Sequence, residues 1–279
     1  MEHSVKSSAT LIDFLSSCYP ESSKNTLRGW IQQGRVSAKG VRLDRANIPV
    51  KSGDTIRIGP KTRVVQGGIK ILFEDNDLIA IDKPAGVLSV ATRMEKEETA
   101  FRYLKDKYAP YPIYVVHRLD RETSGVMLFA RSKKGCEALK QLFAKHTIKR
   151  EYVALVEGVP NPSKGTWESY LWEDGNYRVH STDDSEGGEQ AITRYKVTQQ
   201  GAKHSLLTLF LETGKKNQIR VHCQQAGCPV AGDRKYGAKT NPLKRLGLHA
   251  HLLAFKHPIT HKEVRFLSPI PKGFYDASQ

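Results

Sequence analysis

The chain has 279 residues, 39% of them hydrophobic, enough for one large domain or two smaller ones with real cores. Lys and Arg number 44 against 29 Asp and Glu, and the resulting +15 favours a polyanionic partner, because neutralised phosphates release condensed counterions. No apolar run approaches the ~18 residues of a membrane span, and Met1-Glu2-His3-Ser4 opens no apolar leader, so a cytoplasmic protein without a membrane partner is expected.

Residues 1–60 read as a small module. Leu11, Ile12, Phe14 and Leu15 recur at helical spacing and predict a helix over 10–18. Ser22 or Ser23 can cap a second helix that carries Leu27, Trp30 and Ile31 on one face and stops at Gly34. Short strands are predicted at 36–38, 41–43 and 55–58, with turns at Lys39-Gly40 and Ser52-Gly53-Asp54. Lys24, Arg28 and Arg35 gather on and just after the second helix. The opening Leu11-Ile12-Asp13-Phe14-Leu15, the step Gly34-Arg35-Val36 and the close Gly53-Asp54-Thr55-Ile56 resemble an S4 RNA-binding domain. That likeness implies RNA contacts from Lys24, Arg28 and Arg35; the bland alternative is a helical cap on the next domain.

Residues 61–68, rich in Lys, Thr, Gln and Gly, are a predicted linker, and 69–279 a second domain. Strands over 69–74 and 78–82 flank the turn Asp75-Asn76-Asp77 as a hairpin, and Lys83-Pro84-Ala85-Gly86 breaks the second. Helices are predicted over 99–108 and 133–146, the latter capped by Ser132 with Cys136, Leu139, Leu142 and Phe143 on one face. Further strands are predicted over 151–157, 190–198, 205–212, 218–222 and 248–256, and the polar stretch 174–188 as a mobile loop. The sum is a mixed α+β domain without internal repeats. Of the four cysteines, Cys18, Cys136, Cys223 and Cys228, only the last two are close, and they lack a second ligand pair. Reduced thiols and no metal site are expected.

The run His117-Arg118-Leu119-Asp120-Arg121-Glu122-Thr123-Ser124-Gly125 sets one carboxylate among basic groups, just before the apolar strand Val126–Ala130. An anonymous loop acid is most often a solvated surface group. Three more segments change that weight: Asp82-Lys83-Pro84-Ala85-Gly86-Val87, Lys149-Arg150-Glu151-Tyr152-Val153-Ala154-Leu155-Val156-Glu157-Gly158, and Thr213-Gly214-Lys215-Lys216-Asn217-Gln218-Ile219-Arg220-Val221-His222 with the trailing Gly227–Asp233 and Leu248-His249-Ala250. In this order they resemble the RluA family of pseudouridine synthases.

The resemblance implies an α+β catalytic domain with a mixed, mainly antiparallel sheet, behind the small α/β S4-like domain. It implies an isomerase that breaks the uridine N1–C1′ bond and rejoins the base through C5. Asp120 would be the nucleophile, Arg220 its charge partner, and Tyr152 a catalytic residue whose ring stacks on the base or whose hydroxyl assists proton removal. Ile219 would wall the pocket, Arg118 would fill the space left by an extruded base, and His117 and Thr123 would shape the loop. Asn217 stands where the family often has His. No metal, cofactor or nucleotide is required by the reaction. An S4-bearing member implies 23S rRNA or a ribosome assembly intermediate as partner, and a monomer is expected. The alternatives are a synthase acting on transfer RNA, a silent RNA-binding protein, or a glycoside hydrolase pairing Asp120 with Glu122.

Overall fold

A computed structural model describes residues 2–32, 36–38, 41–43, 45–59, 68–91 and 99–279. The chain divides into two units, Met1–Gln66 and Gly67–Gln279. The first contains β1 (Glu2–Ser4), β2 (Ala9–Thr10), α1 (Leu11–Cys18), α2 (Lys24–Gln32), β3 (Val36–Ala38), β4 (Val41–Arg42), β5 (Pro49–Val50) and β6 (Thr55–Ile58). Thr10 caps α1 by accepting the Asp13 N–H at 3.3 Å, and Ser23 caps α2 by accepting that of Thr26 at 3.2 Å. Both helices bury apolar stripes, Leu11 and Leu15 from one and Leu27 and Ile31 from the other, against Val36 and Ile56 of the antiparallel sheet β1-β6-β3-β4. Strands β1, β2 and β5 were not predicted; β3 and β4, equally short, were, because a Lys-Gly turn separates them in the sequence. The predicted helix stop at Gly34, Arg35, the Lys39-Gly40 turn and positions 60–67 around the predicted linker lie outside the described residues.

The second unit runs β7 (Lys70–Glu74), β8 (Leu78–Lys83), α3 (Ala100–Lys107), β9 (Tyr114–Val115), β10 (Ser124–Ala130), α4 (Lys133–Ala144), β11 (Lys149–Glu157), β12 (Lys164–Glu173), β13 (Val179–Thr182), β14 (Glu189–Gln200), β15 (His204–Leu211), α5 (Gln218–Gln225), β16 (Leu248–Lys256), β17 (Glu263–Leu267) and α6 (Lys272–Asp276), with a 3-10 turn at Arg234–Tyr236. One long sheet has the order β13-β12-β14-β15-β11-β16-β10-β8-β7, with β9 added to β10 and β17 to β16. This is the expected α+β class with a mainly antiparallel sheet. Among the described strand pairs, β10 with β16 is the parallel one, joined at Ser124↔His249 and Gly125↔Ala250.

Both faces of the sheet are covered at its centre, so its strands read as nearly continuous apolar runs. Every residue of β10 is buried. Its Val126, Leu128 and Ala130 pack with Cys136 and Leu139 of α4. In β11, Ala154 and Val156 face Ile219 and Cys223 of α5, while Val153 and Leu155 face Phe274 of α6. Period-two alternation therefore places Tyr152 on the same side as α5, and it packs against that cluster.

Two predicted elements are corrected. Residues 218–222 form the start of helix α5 rather than a strand. Ile219 and Val221 alternate, but Ile219, His222 and Cys223 also sit at helical spacing, and all three are buried. Asn217, left-handed at φ 54°, turns the chain into the helix. The stretch 174–188 is not simply a loop. The Asp174 carboxylate accepts the Asn176 and Arg178 N–H groups and pairs with His180, closing a turn that sends β13 back along β12.

Gly125 is the tightest point of the parallel pair. Its φ is +112°, and a Cβ there would stand 2.1 Å from the Ala250 carbonyl oxygen. Gly125→Ala is expected to destabilise this unit by more than ~3 kcal/mol in urea unfolding, through overpacking that the backbone cannot relieve. Gly227→Ala, at φ +70° but with open space around it, is expected to cost about 1 kcal/mol; equal losses would contradict the steric reading.

Candidate active site

The loop from Val116 to Thr123 leaves β9 and returns as β10, and its backbone is tied down on both sides of Asp120. On one side, Ser89 Oγ donates to the Leu119 carbonyl at 2.6 Å and accepts the Leu119 N–H at 3.0 Å. On the other, the Arg121 carbonyl accepts the Gly86 N–H at 2.9 Å and Lys83 Nζ at 3.1 Å. Lys83 is fully buried at the end of β8, and its ammonium also donates to the Pro84 and Val87 carbonyls. Burial pushes its pKa down to about 7, and the nearby carboxylates of Glu122, Asp120 and Asp82 resist that shift. The turn Pro84–Ser89 is thus a cradle for the loop. Asp120 occupies a fixed point of it, with its side chain 33% exposed.

Arg220 reaches that carboxylate from the first turn of α5, Nη1 donating to Asp120 Oδ2 at 3.1 Å. The rest of its guanidinium is held from behind. Nε and Nη2 donate to Asp233 at 2.6 and 2.8 Å, a two-pronged pair whose acid is almost wholly buried. Asn217 Oδ1 accepts from Nη1 at 3.2 Å, and the Tyr236 ring lies 4.9 Å beneath the charge. Tyr236 is held in turn by Asn217 Nδ2, which donates to its hydroxyl at 2.9 Å, and by the Val179 N–H at 3.2 Å. Burial opposes the Arg220 charge, but the hydrogen bonds and charge of Asp233, and then Asp120, raise its pKa further.

A cavity of about 70 Å3 opens over this pair. Asp120, Tyr152, Arg220, Arg118, Ile219 and Thr123 all line it, together with Asn217 and Gln218. The sequence-predicted residues from three distant segments therefore meet at one point. Arg118 is exposed at its rim, whereas Thr123 and Ile219 are buried in its wall. Burial, aided by the charge of Asp120, pushes the Tyr152 phenol up to about 12, so it is a neutral ring and hydrogen-bond donor near pH 7. His117 lies outside this cavity. Its ring stacks on Phe143 at 4.6 Å, its Nε2 accepts the Leu128 N–H at 2.9 Å, and burial drives its pKa down to about 3. It fixes the loop against β10 as a neutral ring. Arg220 sits on a helix, not on the predicted strand.

Asp233, Tyr236, Lys83 and Ser89 carried no predicted role. Asp233 and Lys83 lie inside the matched segments, but that they anchor other residues is not visible without the fold. In the first unit, Lys24 is exposed and paired with Asp13 at 2.9 Å, and Arg28 donates to Asn25 at 3.3 Å. Arg35 lies outside the described residues.

The sequence profile described as RNA pseudouridylate synthase matches residues 77–225, a span that includes the Asp120 loop, Tyr152 and Arg220. The chain belongs to the RluA family of RNA pseudouridine synthases. It is 35% identical over 267 residues to an uncharacterized RNA pseudouridine synthase of Bacillus subtilis, covering 90% of this chain and 86% of that one. It is 32% identical to the ribosomal large subunit pseudouridine synthase D of Xylella fastidiosa, over 92% of this chain and 84% of that one. The solved structure of human RNA pseudouridylate synthase domain containing 4 superposes with a TM-score of 0.61 at 26% identity, over 74% of this chain and 90% of that one. The enzyme is thus an isomerase acting on RNA. No described helix is long and apolar enough to cross a membrane.

The synthase also buries neutral histidines around the site. His222 and His249 are driven down to about 4, and His117 to about 3, in each case first by burial. An unfolded histidine titrates near 6.5. Between ~pH 6.5 and 4 the unfolded chain therefore binds protons that the folded one refuses, so stability falls as pH falls through that window. Urea midpoints are expected to drop from pH 7 to 4.5, and His249→Asn to show a shallower slope; a flat profile in the parent enzyme would contradict this.

Proposed function

We propose that Asp120 is the nucleophile of this pseudouridine synthase and acts on a uridine extruded into the Arg118–Tyr152–Arg220 cavity. The reading rests on one observation: an acid on a doubly anchored loop, 3.1 Å from a buried arginine, inside a cavity that also holds a neutral tyrosine ring. The reaction breaks N1–C1′, forms C5–C1′, removes the C5 hydrogen and leaves a proton on N1, with no net oxidation. Attack on C1′, addition to C6 and passage through a glycal all need a carboxylate held against sugar and base, and the 3.1 Å Arg220 contact fixes its orientation there. Tyr152 stacks on the base and keeps its proton, Ile219 and Thr123 shape the wall, and Arg118 at the rim fills the stack that the base vacates. The chemistry calls for no cofactor or metal.

The substrate class we infer is large-subunit ribosomal RNA, 23S rRNA or an assembly intermediate that contains it. Support comes from the name of the Xylella relative, from the +15 charge, and from the S4-like pattern of residues 1–60, whose Lys24, Arg28 and Arg35 would bind phosphates as part of a cytoplasmic, monomeric enzyme. Incubation with unmodified 23S rRNA followed by carbodiimide mapping of new pseudouridine tests the activity. Asp120→Ala is expected to abolish product while leaving RNA affinity within a few-fold; turnover near the parent rate would refute the assignment. Modification of transfer RNA alone would move the substrate but not the nucleophile. Deleting residues 1–60 is expected to weaken rRNA binding at least tenfold and to steepen its loss with salt less than in the parent, while the truncated enzyme still turns over at saturating RNA; unchanged binding would remove the role of that unit.

A further inference from the structure

We propose that a second cleft beside the Asp120 cavity is the binding subsite for the RNA nucleotide next to the target uridine, with Arg150 receiving its phosphate. The proposal rests on the reading of the Asp120 cavity as the uridine pocket. The cleft has a volume of about 360 Å3, within the ~300–1,000 Å3 of small-ligand pockets. It shares Arg118, Tyr152, Leu211 and Lys215 with the Asp120 cavity, so one strand of RNA can occupy both.

Its chemistry is one-sided. Arg118, Arg150, Lys215 and His146 line it, and none of its lining residues is acidic. Lys215 already carries Glu189 on its ammonium at 2.7 Å. Arg150 is different. Its residue exposure is 7%, and of its nitrogens only Nη2 has a hydrogen-bond partner among the described residues, the Glu212 carbonyl at 2.8 Å. The Glu212 carboxylate is itself taken by Arg194 at 2.8 Å. A guanidinium this buried, without a carboxylate, is costly unless an anion completes it. Gly214 leaves the room: a Cβ there would stand 2.4 Å from Arg150 Nη1. The cleft is also lined by Phe143, with His117 stacked on it, an aromatic surface suited to a base rather than to a free ion. A phosphodiester at Arg150 Nη1, the nitrogen neither sealed nor already bonded, and a base along Phe143 satisfy both features.

The test compares three probes on the full-length enzyme by calorimetry: uridine, uridylyl-(3′→5′)-uridine, and the same dinucleotide with a neutral methylphosphonate linkage. The phosphate-linked dinucleotide is expected to bind at least tenfold tighter than the methylphosphonate form, the size of one charge-assisted hydrogen bond. In Gly214→Ala, which crowds the guanidinium, and in Arg150→Gln, that preference is expected to shrink to less than threefold. Because Arg150→Gln can disturb β11, thermal melts accompany both variants, and the comparison within the parent enzyme stands without either. Equal binding of the two linkages by the parent, no binding of the phosphate-linked dinucleotide at millimolar concentration, or a preference intact in folded Gly214→Ala and Arg150→Gln would each overturn the subsite. Failure of the Asp120 reading would show separately, as turnover surviving in Asp120→Ala.

Discussion

The site depends on a guanidinium divided between two acids. Asp233 takes two nitrogens of Arg220 and Asp120 takes the third position, so the arginine is aimed before any substrate arrives. The division is unequal, and that matters. Asp233 is almost completely buried, whereas Asp120 keeps about a third of its side-chain surface open. The buried acid therefore cannot trade its partner for water, and loss of one member of such a pair typically costs 3–5 kcal/mol. The open acid keeps a charge partner without being sealed by it. One arginine thus serves as anchor to one carboxylate and as electrostatic neighbour to another, and the Tyr236 ring below it prevents the guanidinium from tilting away.

The second requirement is that Asp120 itself stay still, and the chain meets it through backbone ties rather than side-chain packing. Ser89 engages both polar groups of Leu119, and Lys83 with Gly86 engages the carbonyl of Arg121. Preorganised groups of this kind avoid reorganisation at the moment of reaction. A buried lysine serves this purpose because its ammonium offers three donors to three carbonyls. Here those carbonyls belong to Pro84, Val87 and Arg121, which joins two segments otherwise separated by more than thirty residues.

Much of this was legible in the sequence, for definable reasons. Strands β7, β8, β10, β11, β15 and β16 announce themselves by apolar runs between turn residues, and α1, α2 and α4 by helical spacing with Ser or Thr caps. The candidate site was legible through ordered segments that resemble a family, which brought Asp120, Tyr152 and Arg220 forward together. Two things were hidden. Gln218–His222 satisfies both a period of two and a period near 3.6, and only the packing of Ile219 and Cys223 against β11 decides between them. Asp233 and Lys83 act through partners 13 and 38 residues away, and nothing local in either stretch states that relation. His117, beside the acid in sequence, was expected to shape the loop, and its Nε2 accepts the Leu128 N–H of β10.

Strand β16 changes partners part-way along one edge. His249 and Ala250 run beside β10, whereas Leu252 to Lys256 run beside β17, and along the other edge the register with β11 skips a residue at His251. The sheet forks there, and the extra residue absorbs the change from a parallel to an antiparallel neighbour. His249 and His251 both meet the Ser268 carbonyl, and Ser268 in turn donates to Asp82, so the fork is closed by polar contacts rather than by a ladder. The length of this short segment is consequently a shared constraint of two sub-sheets. A single residue gained or lost between Leu248 and Leu252 would invert the facing of one branch and slide Ala250 off Gly125 in the other, so chain length here is far less free to drift than residue identity.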